Sequence, residues 1–370
     1  MNAKPSIFTA KEVDENNEKR VRLVELIASG DSILMAGSGC SAKIYPDWQG
    51  FINRMDEVAR DLDPKFSHNS EDFLSYADAV KECLGNDRYY DLINEEFGLK
   101  EVTHLEMHKV LCQLPFKALT TTNYDVVLEN ALTEITLKSD NSLYIEGTVK
   151  TRINQFLRSL NFNDNLPRRV VHLHGIYHAP DSIILSGKEY KHKYGFSSDI
   201  PSDTLFDRLK DENLTKEVFE ELLLTYGYGW PIRRKILWSL LATRRVVFFG
   251  FSMRDPYFRK MLDFVREDIS TYNKDNHYII LRITEKNKIS LQAFAATLKK
   301  DFGIESVFFE DSDGNGLDNF IIDLGKEIIL PEKPKTDFVA PASEIKVKDG
   351  DLAETLNLFE ISKKLNQHGN

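Results

Sequence analysis

Glycine and polar residues follow short apolar runs at four places in the chain. The apolar runs are typical of buried strands. The residues that follow them supply backbone amides, hydroxyls, a carboxamide, carboxylates and imidazoles, which together can bind a phosphorylated ligand and accept a proton. The four clusters are residues 37–41, 121–125, 172–175 and 250–256.

The first cluster predicts a glycine-rich turn directly after the apolar run 32–36. Gly37 and Gly39 let backbone amides come close to a pyrophosphate, whose charge suits free N–H groups and the positive end of a helix. The turn departs from the GxGxxG pattern of dehydrogenases, because Ser41-Ala42 occupies the place of the third glycine. A tight turn that binds nothing can have the same sequence, so this cluster alone does not define a site.

Taken in their order along the chain, the clusters resemble the signature motifs of the sirtuin (silent-information-regulator) family. Residues 37–41 and 46–50, the latter Pro-Asp-Trp-Gln-Gly, resemble the family's GAG-x-S and PDFRG motifs. Residues 121–125, Thr-Thr-Asn-Tyr-Asp, resemble T-Q-N-I-D. The His-Gly of residues 172–175 resembles the strand with the family's general base, and residues 250–256 resemble its G-[TY]-S loop.

This resemblance covers roughly residues 30–285 and implies a site for NAD, with NAD as the substrate and no metal. It implies Asn123 and His174 as the catalytic residues. The residues implied for NAD binding are Gly37, Ser38, Gly39, Ser41, Asp47, Trp48, Asp125, Gly250 and Ser252.

The side chains suit cleavage of the nicotinamide–ribose bond, which develops an oxocarbenium-like sugar and needs little proton transfer to expel nicotinamide. Asn123 offers a neutral amide to a ribose hydroxyl or to the attacking water. His174, with an ordinary imidazole pKa near neutrality, fits a general base. Asp125 can bond the carboxamide of nicotinamide or cap the following helix, and the sequence leaves both interpretations open.

Several neighbouring side chains also have chemical interpretations. Ser41 and Ser252 can donate to phosphate or ribose oxygens, and Trp48 can cover the nicotinamide end of the pocket. His172 is an alternative base two residues before His174, but the resemblance selects His174 because it directly precedes the glycine.

Two other groups of reactive residues have weaker patterns. Cys40 could act as a nucleophile, but no base motif is paired with it in the sequence. His104 and His108 lie four residues apart in His-Leu-Glu-Met-His, which is not the HExxH pattern of zinc enzymes. We therefore expect a solvated helix face at these two histidines.

The cysteines distinguish the chain from sirtuins that deacylate proteins. Cys40, Cys83 and Cys112 are isolated and form no CxxC pair, so the zinc ribbon of those sirtuins is excluded. Gln49 replaces an Arg of the family motif. Without a zinc ribbon or an evident peptide groove, water is the simplest attacking group, so the sequence predicts an NAD hydrolase. An NAD-dependent deacylase, an ADP-ribosyltransferase and a non-catalytic subunit that senses NAD or ADP-ribose are the alternatives.

Zinc-less sirtuin-like domains of this kind resemble those of bacterial antiphage systems, where they deplete NAD. The resemblance implies a homo-oligomer gated by a separate partner, such as a HerA-type ATPase or an Argonaute-type nuclease. The glycine turn lacks an obvious Arg for a 2′-phosphate, which favours NAD over its phosphorylated form.

Composition excludes several other classes of protein. The 370 residues have a net charge of −10, which disfavours a broad nucleic-acid interface. No apolar signal segment precedes residue 10, and no window approaches about 20 unbroken apolar residues, so we expect a cytoplasmic protein with no membrane segment.

Alternating apolar runs and helical patterns predict an α/β fold, a Rossmann-like parallel sheet with helices on both faces and a helical insertion in place of the zinc ribbon. Thr9 and Glu12 predict a capping box at the start of the first helix. The predicted strands are residues 32–36, 117–122, 169–173, 182–185, 245–249, 277–283 and 306–309. The predicted helices are residues 9–29, 48–61, 70–84, 86–97, 104–113, 124–132, about 203–243 and 257–269.

The same patterns predict three parts of the chain. Residues 1–30 form an N-terminal helical extension, and residues 31–330 form the catalytic domain, with helical insertions at about 50–115 and 186–243. Proline residues mark residues 331–370 as a linker and tail. Its apolar stripe fits either packing back onto its own domain, which is the commoner outcome, or docking on a partner.

Overall fold

The structure is a computed structural model of the chain, and its described residues all lie in one compact unit, Met1–Pro331. The predicted tail lies outside the described residues. Residues 203–230 of the predicted helical stretch also lie outside them, apart from residues 215, 217 and 218. The structure describes residues 7–67, 73–145, 150–160, 168–195, 215, 217–218, 231–253, 255–269, 277–311 and 314–329.

Seven strands form one sheet in which every pair of neighbours is parallel. Their order across the sheet is β3-β4-β2-β1-β5-β6-β7. This arrangement confirms the predicted Rossmann-like α/β fold. The strands are β1 (Ser32–Ala36), β2 (Ala118–Thr121), β3 (Ser142–Tyr144), β4 (Val170–His172), β5 (Arg245–Phe249), β6 (His277–Ile283) and β7 (Ile304–Glu310).

Eleven helices accompany the strands within the described ranges, and a short 3₁₀ turn, Ser38–Cys40, follows β1. The helices are α1 (Ala10–Ala28), α2 (Trp48–Leu62), α3 (Phe73–Phe97), α4 (Glu106–Gln113), α5 (Val127–Thr136), α6 (Lys150–Ser159), α7 (Gly187–Tyr194), α8 (Ile232–Thr243), α9 (Pro256–Ile269), α10 (Lys288–Phe302) and α11 (Gly316–Ile329).

The sheet is covered on both faces, as β1 illustrates. Leu34 and Ala36 belong to a hydrophobic core built mainly with α1 to α5 and α11. Ile33 and Met35 belong to a second core built mainly with α6 to α10. Successive strand residues point to opposite faces, so a strand buried on both sides has a continuous apolar sequence, as residues 33–36 do.

Local sequence signals account for the helix ends that were predicted. The capping box of α1 is present, because Thr9 N donates to Glu12 Oε2 at 2.8 Å and Glu12 N donates to Thr9 Oγ1 at 3.4 Å. α3 is broken at Gly85, whose φ of 69° is non-helical. The break separates the two helices that were predicted on either side of this glycine.

Two predicted elements differ from the structure, and one strand was not predicted. Residues 182–185 follow a 3₁₀ turn, Pro180–Ser182, and do not join the sheet; Ile184 N donates to His174 O at 2.9 Å instead. A short buried apolar run has the same pattern in a strand and in a buried loop. β3 was missed because three residues show too little periodicity. α5 begins at Val127, later than predicted.

The strand order reverses at β1, which lies between β2 and β5. In doubly wound α/β sheets, ligands bind in the crevice outside the carboxyl ends of the strands at such a switch point. The loops after β1, β2, β4 and β5 meet at this edge. They contain all four of the clusters that the sequence singled out.

The loops after β1 and β5 pack backbone against backbone at Gly250. Gly39 N donates to Gly250 O at 2.9 Å, and Gly250 has a φ of 60°. A Cβ atom at Gly250 would lie 2.4 Å from the backbone nitrogen of Cys40. Glycine is therefore required here by the close approach of the two loops as well as by the left-handed backbone.

We expect Gly250→Ala to lower the free energy of unfolding by about 3 kcal/mol or more, because it adds a clash with backbone atoms to an unfavourable backbone conformation. Gly30→Ala is the matched control: its φ is 74°, but a Cβ there meets nothing closer than 3.5 Å. That control is expected to cost about 1–2 kcal/mol. Chemical denaturation of both variants measures the difference, and equal costs would contradict the role of close packing at Gly250.

Candidate active site

A cavity of about 480 Å³ lies at the carboxyl ends of the strands around the switch point. Nine of the eleven predicted site residues line it, and Gly39 and Ser41 do not. Those that line it are Gly37, Ser38, Asp47, Trp48, Asn123, Asp125, His174, Gly250 and Ser252. The other lining residues are Pro46, Gln49, Phe73, Leu74, Phe97, Thr122, Tyr124, Ile184, Tyr190, Phe251 and Asp255.

The carboxamide of Asn123 is fixed by two hydrogen bonds to the loop after β1. Its Nδ2 donates to Gly37 O at 3.1 Å and to Ser41 Oγ at 3.0 Å. A backbone carbonyl can only accept, so the NH₂ group must face Gly37, and this settles the orientation of the amide. The Oδ1 atom on the other side is left to accept a hydrogen bond from a ligand hydroxyl or a water.

The backbone carbonyl of Asn123 is contacted by the histidine of a buried histidine–glutamate pair. His172 Nδ1 lies 2.9 Å from Asn123 O, and His172 Nε2 contacts Glu129 Oε1. Burial disfavours the charged imidazole, but Glu129 and the carbonyl of Asn123 outweigh it, so the pKa of His172 is raised. Both ring nitrogens face acceptors, which fits a protonated ring that donates on both sides.

The two histidines that the sequence left as alternative bases therefore occupy different places. His172 is fully buried and does not line the cavity. His174 lines the cavity and lies edge-on to Tyr190 and Tyr194, with ring centroids 5.4 Å and 5.9 Å away. Geometry thus makes His174 the imidazole that can reach a ligand.

The expected near-neutral pKa of His174 is wrong. Burial lowers the pKa of His174 to about 4; the nearby Asp255 carboxylate opposes this and the Arg233 guanidinium reinforces it. The imidazole is accordingly neutral at pH 7. A neutral ring can accept a proton, but the imidazolium that results needs a partner to balance its charge.

Asp125 does cap the following helix, and it also lines the cavity. Its Oδ1 accepts a hydrogen bond from Val127 N at 3.1 Å at the start of α5. Asn123 does not cap this helix, because its side-chain amide is bonded to Gly37 and Ser41. Burial raises the pKa of Asp125 to about 6, against the hydrogen bonds from Val127 and Ser41.

Ser41 links the two polar residues of this loop and is itself buried. It accepts from Asn123 Nδ2 and is hydrogen-bonded to the carboxylate of Asp125. Its hydroxyl lies behind the cavity wall, so the structure gives it contacts with Asn123 and Asp125 and no direct contact with the cavity.

The glycine turn does not present the row of free amides that the sequence suggested. Gly37 N donates to Phe249 O at 2.9 Å, and Gly39 N donates to Gly250 O at 2.9 Å. Ser41 N donates to Ser38 O at 3.0 Å. The first two amides hold the turn to β5 and its loop, and the third closes the 3₁₀ turn itself. Among the predicted set, the residues with hydroxyl groups that line the cavity are Ser38 and Ser252.

Asp47 and Trp48, at the start of α2, also line the cavity. Asp47 Oδ1 accepts from Gly50 N at 2.8 Å and caps α2, while remaining exposed. The Trp48 ring meets the ring of Phe73 edge-on, with centroids 5.4 Å apart. With Phe97, these rings make one side of the cavity apolar, which suits a flat aromatic group of a ligand.

Sequence reasoning did not assign a role to Tyr190 or Asp255. The Tyr190 hydroxyl donates to Asp255 Oδ2 at 2.5 Å. His174 Nε2 lies 3.8 Å from the same carboxylate oxygen. A signal was available in the sequence, because an acidic residue directly before Pro256 is typical of a helix start beside the glycine-serine loop.

The remaining reactive residues are structural. Burial raises the pKa of the Cys40 thiol to about 12, which does not suit a nucleophile. The solvated face expected at His104 and His108 is wrong: His108 is fully buried, its Nδ1 accepts from Leu105 N at 2.8 Å, and its Nε2 donates to Cys40 O at 2.8 Å. His104 Nε2 lies 2.8 Å from Glu134 Oε2.

Two kinds of feature are absent from the described residues. They contain no group of three or more His, Cys, Asp or Glu side chains placed to hold a metal ion. Within the same ranges, no helix combines the length and the apolar character needed to cross a membrane.

The parallel sheet and the cavity at its switch point define a Rossmann-like α/β protein. The family described as "SIR2-like domain" matches residues 117–306, just over half of the chain, so the chain belongs to the SIR2-like family. The resemblance to sirtuins drawn from the four sequence clusters is thereby confirmed.

Curated relatives extend this similarity. The chain is 26% identical over 278 residues to the NAD(+) hydrolase ThsA of Enterococcus faecium, which covers 74% of this chain and 48% of the relative. It is 24% identical over 283 residues to ThsA of Cytobacillus dafuensis, with 75% and 47% covered. It is 24% identical over 269 residues to ThsA of Bacillus cereus (strain MSX-D12), with 71% and 45% covered. The chain spans about half the length of the curated relatives it matches.

The raised pKa of Asp125 predicts a pH-dependent cost in stability. Between the usual pKa of 3.8 and the folded value of about 6, the folded protein binds more protons than the unfolded chain. Stability from this group therefore falls as pH rises through that window, and the cost is complete above pH 6.

We expect Asp125→Asn to raise the free energy of unfolding at pH 8 by about 2 kcal/mol, because it removes the buried charge and keeps an acceptor for Val127 N. The gain should shrink towards zero near pH 4. Urea denaturation of both proteins at a series of pH values measures it. A variant that is less stable than wild type at pH 8 would contradict the predicted cost of the buried charge.

Proposed function

We propose that this chain hydrolyses NAD to ADP-ribose and nicotinamide. One observation supports this most strongly: Asn123, whose amide is held by two hydrogen bonds, and His174, whose imidazole is neutral, line one cavity at the switch point of the sheet. The names of the relatives, NAD(+) hydrolase ThsA, support the same reaction.

The reaction needs a positioned sugar more than a strong acid or base. The nicotinamide is already a cationic leaving group, so it departs with the bond electrons and becomes neutral without a proton. An amide oxygen at Asn123 holds a ribose hydroxyl or the attacking water without adding charge, and His174 takes the proton that the water loses. The apolar side formed with Trp48 and Phe73 covers the nicotinamide ring and keeps other water away.

The polar rim of the cavity accommodates the rest of the dinucleotide in this proposal. Asp125 accepts a hydrogen bond from the carboxamide NH₂ of nicotinamide, because its carboxylate lines the cavity. Ser38 and Ser252 donate to ribose or phosphate oxygens from the loops after β1 and β5. Hydroxyl donors take the place of the glycine-turn amides that are already bonded to protein.

The biological role that we propose is depletion of NAD in bacterial antiphage defence, in the cytoplasm. The resemblance to zinc-less sirtuin-like domains supports it. Uncontrolled hydrolysis would empty the NAD pool of the host, so the activity must be gated. We propose gating in a homo-oligomer by a separate partner protein, for which a HerA-type ATPase or an Argonaute-type nuclease are the candidates.

Removal of either catalytic side chain tests the proposed reaction. We expect Asn123→Ala and His174→Ala each to lower NAD turnover at least about 100-fold, since each removes a group that acts on the sugar or the water. Chromatography of nicotinamide and ADP-ribose, with and without a candidate partner protein, measures turnover.

The matched control is His178→Ala, an exposed histidine four residues beyond His174 that does not line the cavity. It should retain wild-type turnover, and circular dichroism should show all three variants folded. Full activity in both Asn123→Ala and His174→Ala would overturn the assignment. Turnover that depends on an acetylated peptide would instead indicate a deacylase.

A further inference from the structure

The carboxylate of Asp255 lies between the base and a tyrosine at the cavity wall. Its Oδ2 is 3.8 Å from His174 Nε2 and accepts the Tyr190 hydroxyl at 2.5 Å. Its Oδ1 accepts Phe258 N at 3.0 Å at the start of α9. Two elements, α7 and α9, thus fix the carboxylate beside the imidazole.

The distance between the imidazole and the carboxylate defines the kind of contact. At 3.8 Å the two groups are too far apart for a hydrogen bond and too close for a water molecule to lie in line between them. The contact is therefore direct, in a largely buried site, and it becomes an attraction between charges when the imidazole is protonated. A shift of about 1 Å would turn it into a charge-assisted hydrogen bond.

The other groups described around His174 cannot balance the positive charge of a protonated imidazole. Tyr190 and Tyr194 of α7 present ring edges to the imidazole, and burial raises the pKa of both hydroxyls, so both stay neutral. Arg233 of α8 donates to Leu173 O at 2.6 Å and to Ser182 O at 2.8 Å, and its charge disfavours a protonated His174. Among the described residues, Asp255 is the carboxylate whose charge favours a protonated His174.

We propose that Asp255 is a positioning residue of the hydrolysis, which orients His174 and balances the positive charge that the imidazole gains, and that Tyr190 holds the carboxylate for this task. The inference rests on the proposed hydrolysis of NAD. It extends the catalytic group beyond the Asn123 and His174 that the sequence motifs indicate.

The step balances with water as the second reactant. One O–H bond of water breaks and its proton goes to the unprotonated ring nitrogen of His174, while the water oxygen forms a bond to C1′ of the ribose. The C1′–nitrogen bond breaks, and its electron pair neutralises the nicotinamide ring. The imidazolium, paired with Asp255, then releases the proton to solvent, so the products are ADP-ribose, nicotinamide and one proton.

The test compares Asp255→Asn, Tyr190→Phe and the double variant with wild type by steady-state kinetics on NAD. Asn can still accept Phe258 N, so the start of α9 is kept while the charge is removed. We expect Asp255→Asn to lower kcat about 30- to 100-fold with less than about threefold change in KM, because the charge acts on the imidazolium and not on bound NAD. Tyr190→Phe should lower kcat about threefold to tenfold, and the double variant should resemble Asp255→Asn.

A second readout does not depend on turnover. Nuclear magnetic resonance of labelled histidine should show a lower pKa of His174 in Asp255→Asn than in wild type, because the opposing negative charge is gone. A merely structural role for the carboxylate would not move this value in a folded protein. The matched control is Asp263→Asn, on the same helix and paired with Arg266 at 3.1 Å, which should leave both kcat and the pKa of His174 unchanged.

The outcomes separate the two claims. If wild type hydrolyses NAD, Asn123→Ala does not, and Asp255→Asn matches wild type in kcat and in the pKa of His174, the role of Asp255 is overturned and the hydrolase remains. If wild type leaves NAD intact under every condition, with or without a candidate partner protein, the proposed function fails and the inference fails with it.

Discussion

Two hydrogen bonds from the carboxamide of Asn123 join the loops after β1 and β2, and the rest of the site depends on them. The amide donates to Gly37 O at 3.1 Å and to Ser41 Oγ at 3.0 Å, while His172 holds its backbone carbonyl at 2.9 Å. These contacts fix the side chain before any ligand arrives, so the amide oxygen need not be reoriented when a sugar binds. Ser41, directly after the glycine turn, is also hydrogen-bonded to the carboxylate of Asp125, so it links the positions of Asn123 and Asp125.

Burial gives the site its chemical character and lowers its stability at the same time. It keeps His174 neutral and raises the pKa of Asp125 to about 6, so a base and a carboxylate share one cavity near neutral pH. Paired groups whose pKa values are displaced by burial and by named partners are typical of functional sites. Low-dielectric surroundings disfavour an isolated buried charge. Glu129 balances the charge of His172, and the Asp255 carboxylate lies beside His174.

The sequence predicted the parallel sheet and the four clusters well, because each depends on local pattern. β1, β5 and β6 each contain a continuous apolar run, and the clusters follow strand ends where a parallel sheet gathers them.

Features that arise from tertiary contacts were not predicted. The bonded amides of Gly37 and Gly39, the low pKa of His174 and the place of Asp255 depend on distances between segments far apart in the chain, which spacing along the sequence does not encode. The predicted strand at residues 182–185 was wrong for the same reason, since burial in a loop and burial in a strand select the same apolar residues.

A crystal structure of the His174→Ala variant with NAD tests the proposed hydrolytic site most directly, since this variant should retain the substrate. We expect intact NAD in the switch-point cavity, with a hydroxyl of the nicotinamide ribose within hydrogen-bond distance of Asn123 Oδ1 and the nicotinamide ring beside Trp48. The Asn123 amide should keep its bonds to Gly37 and Ser41. NAD bound outside this cavity, or bound with its adenine end at Asn123, would contradict the proposed site.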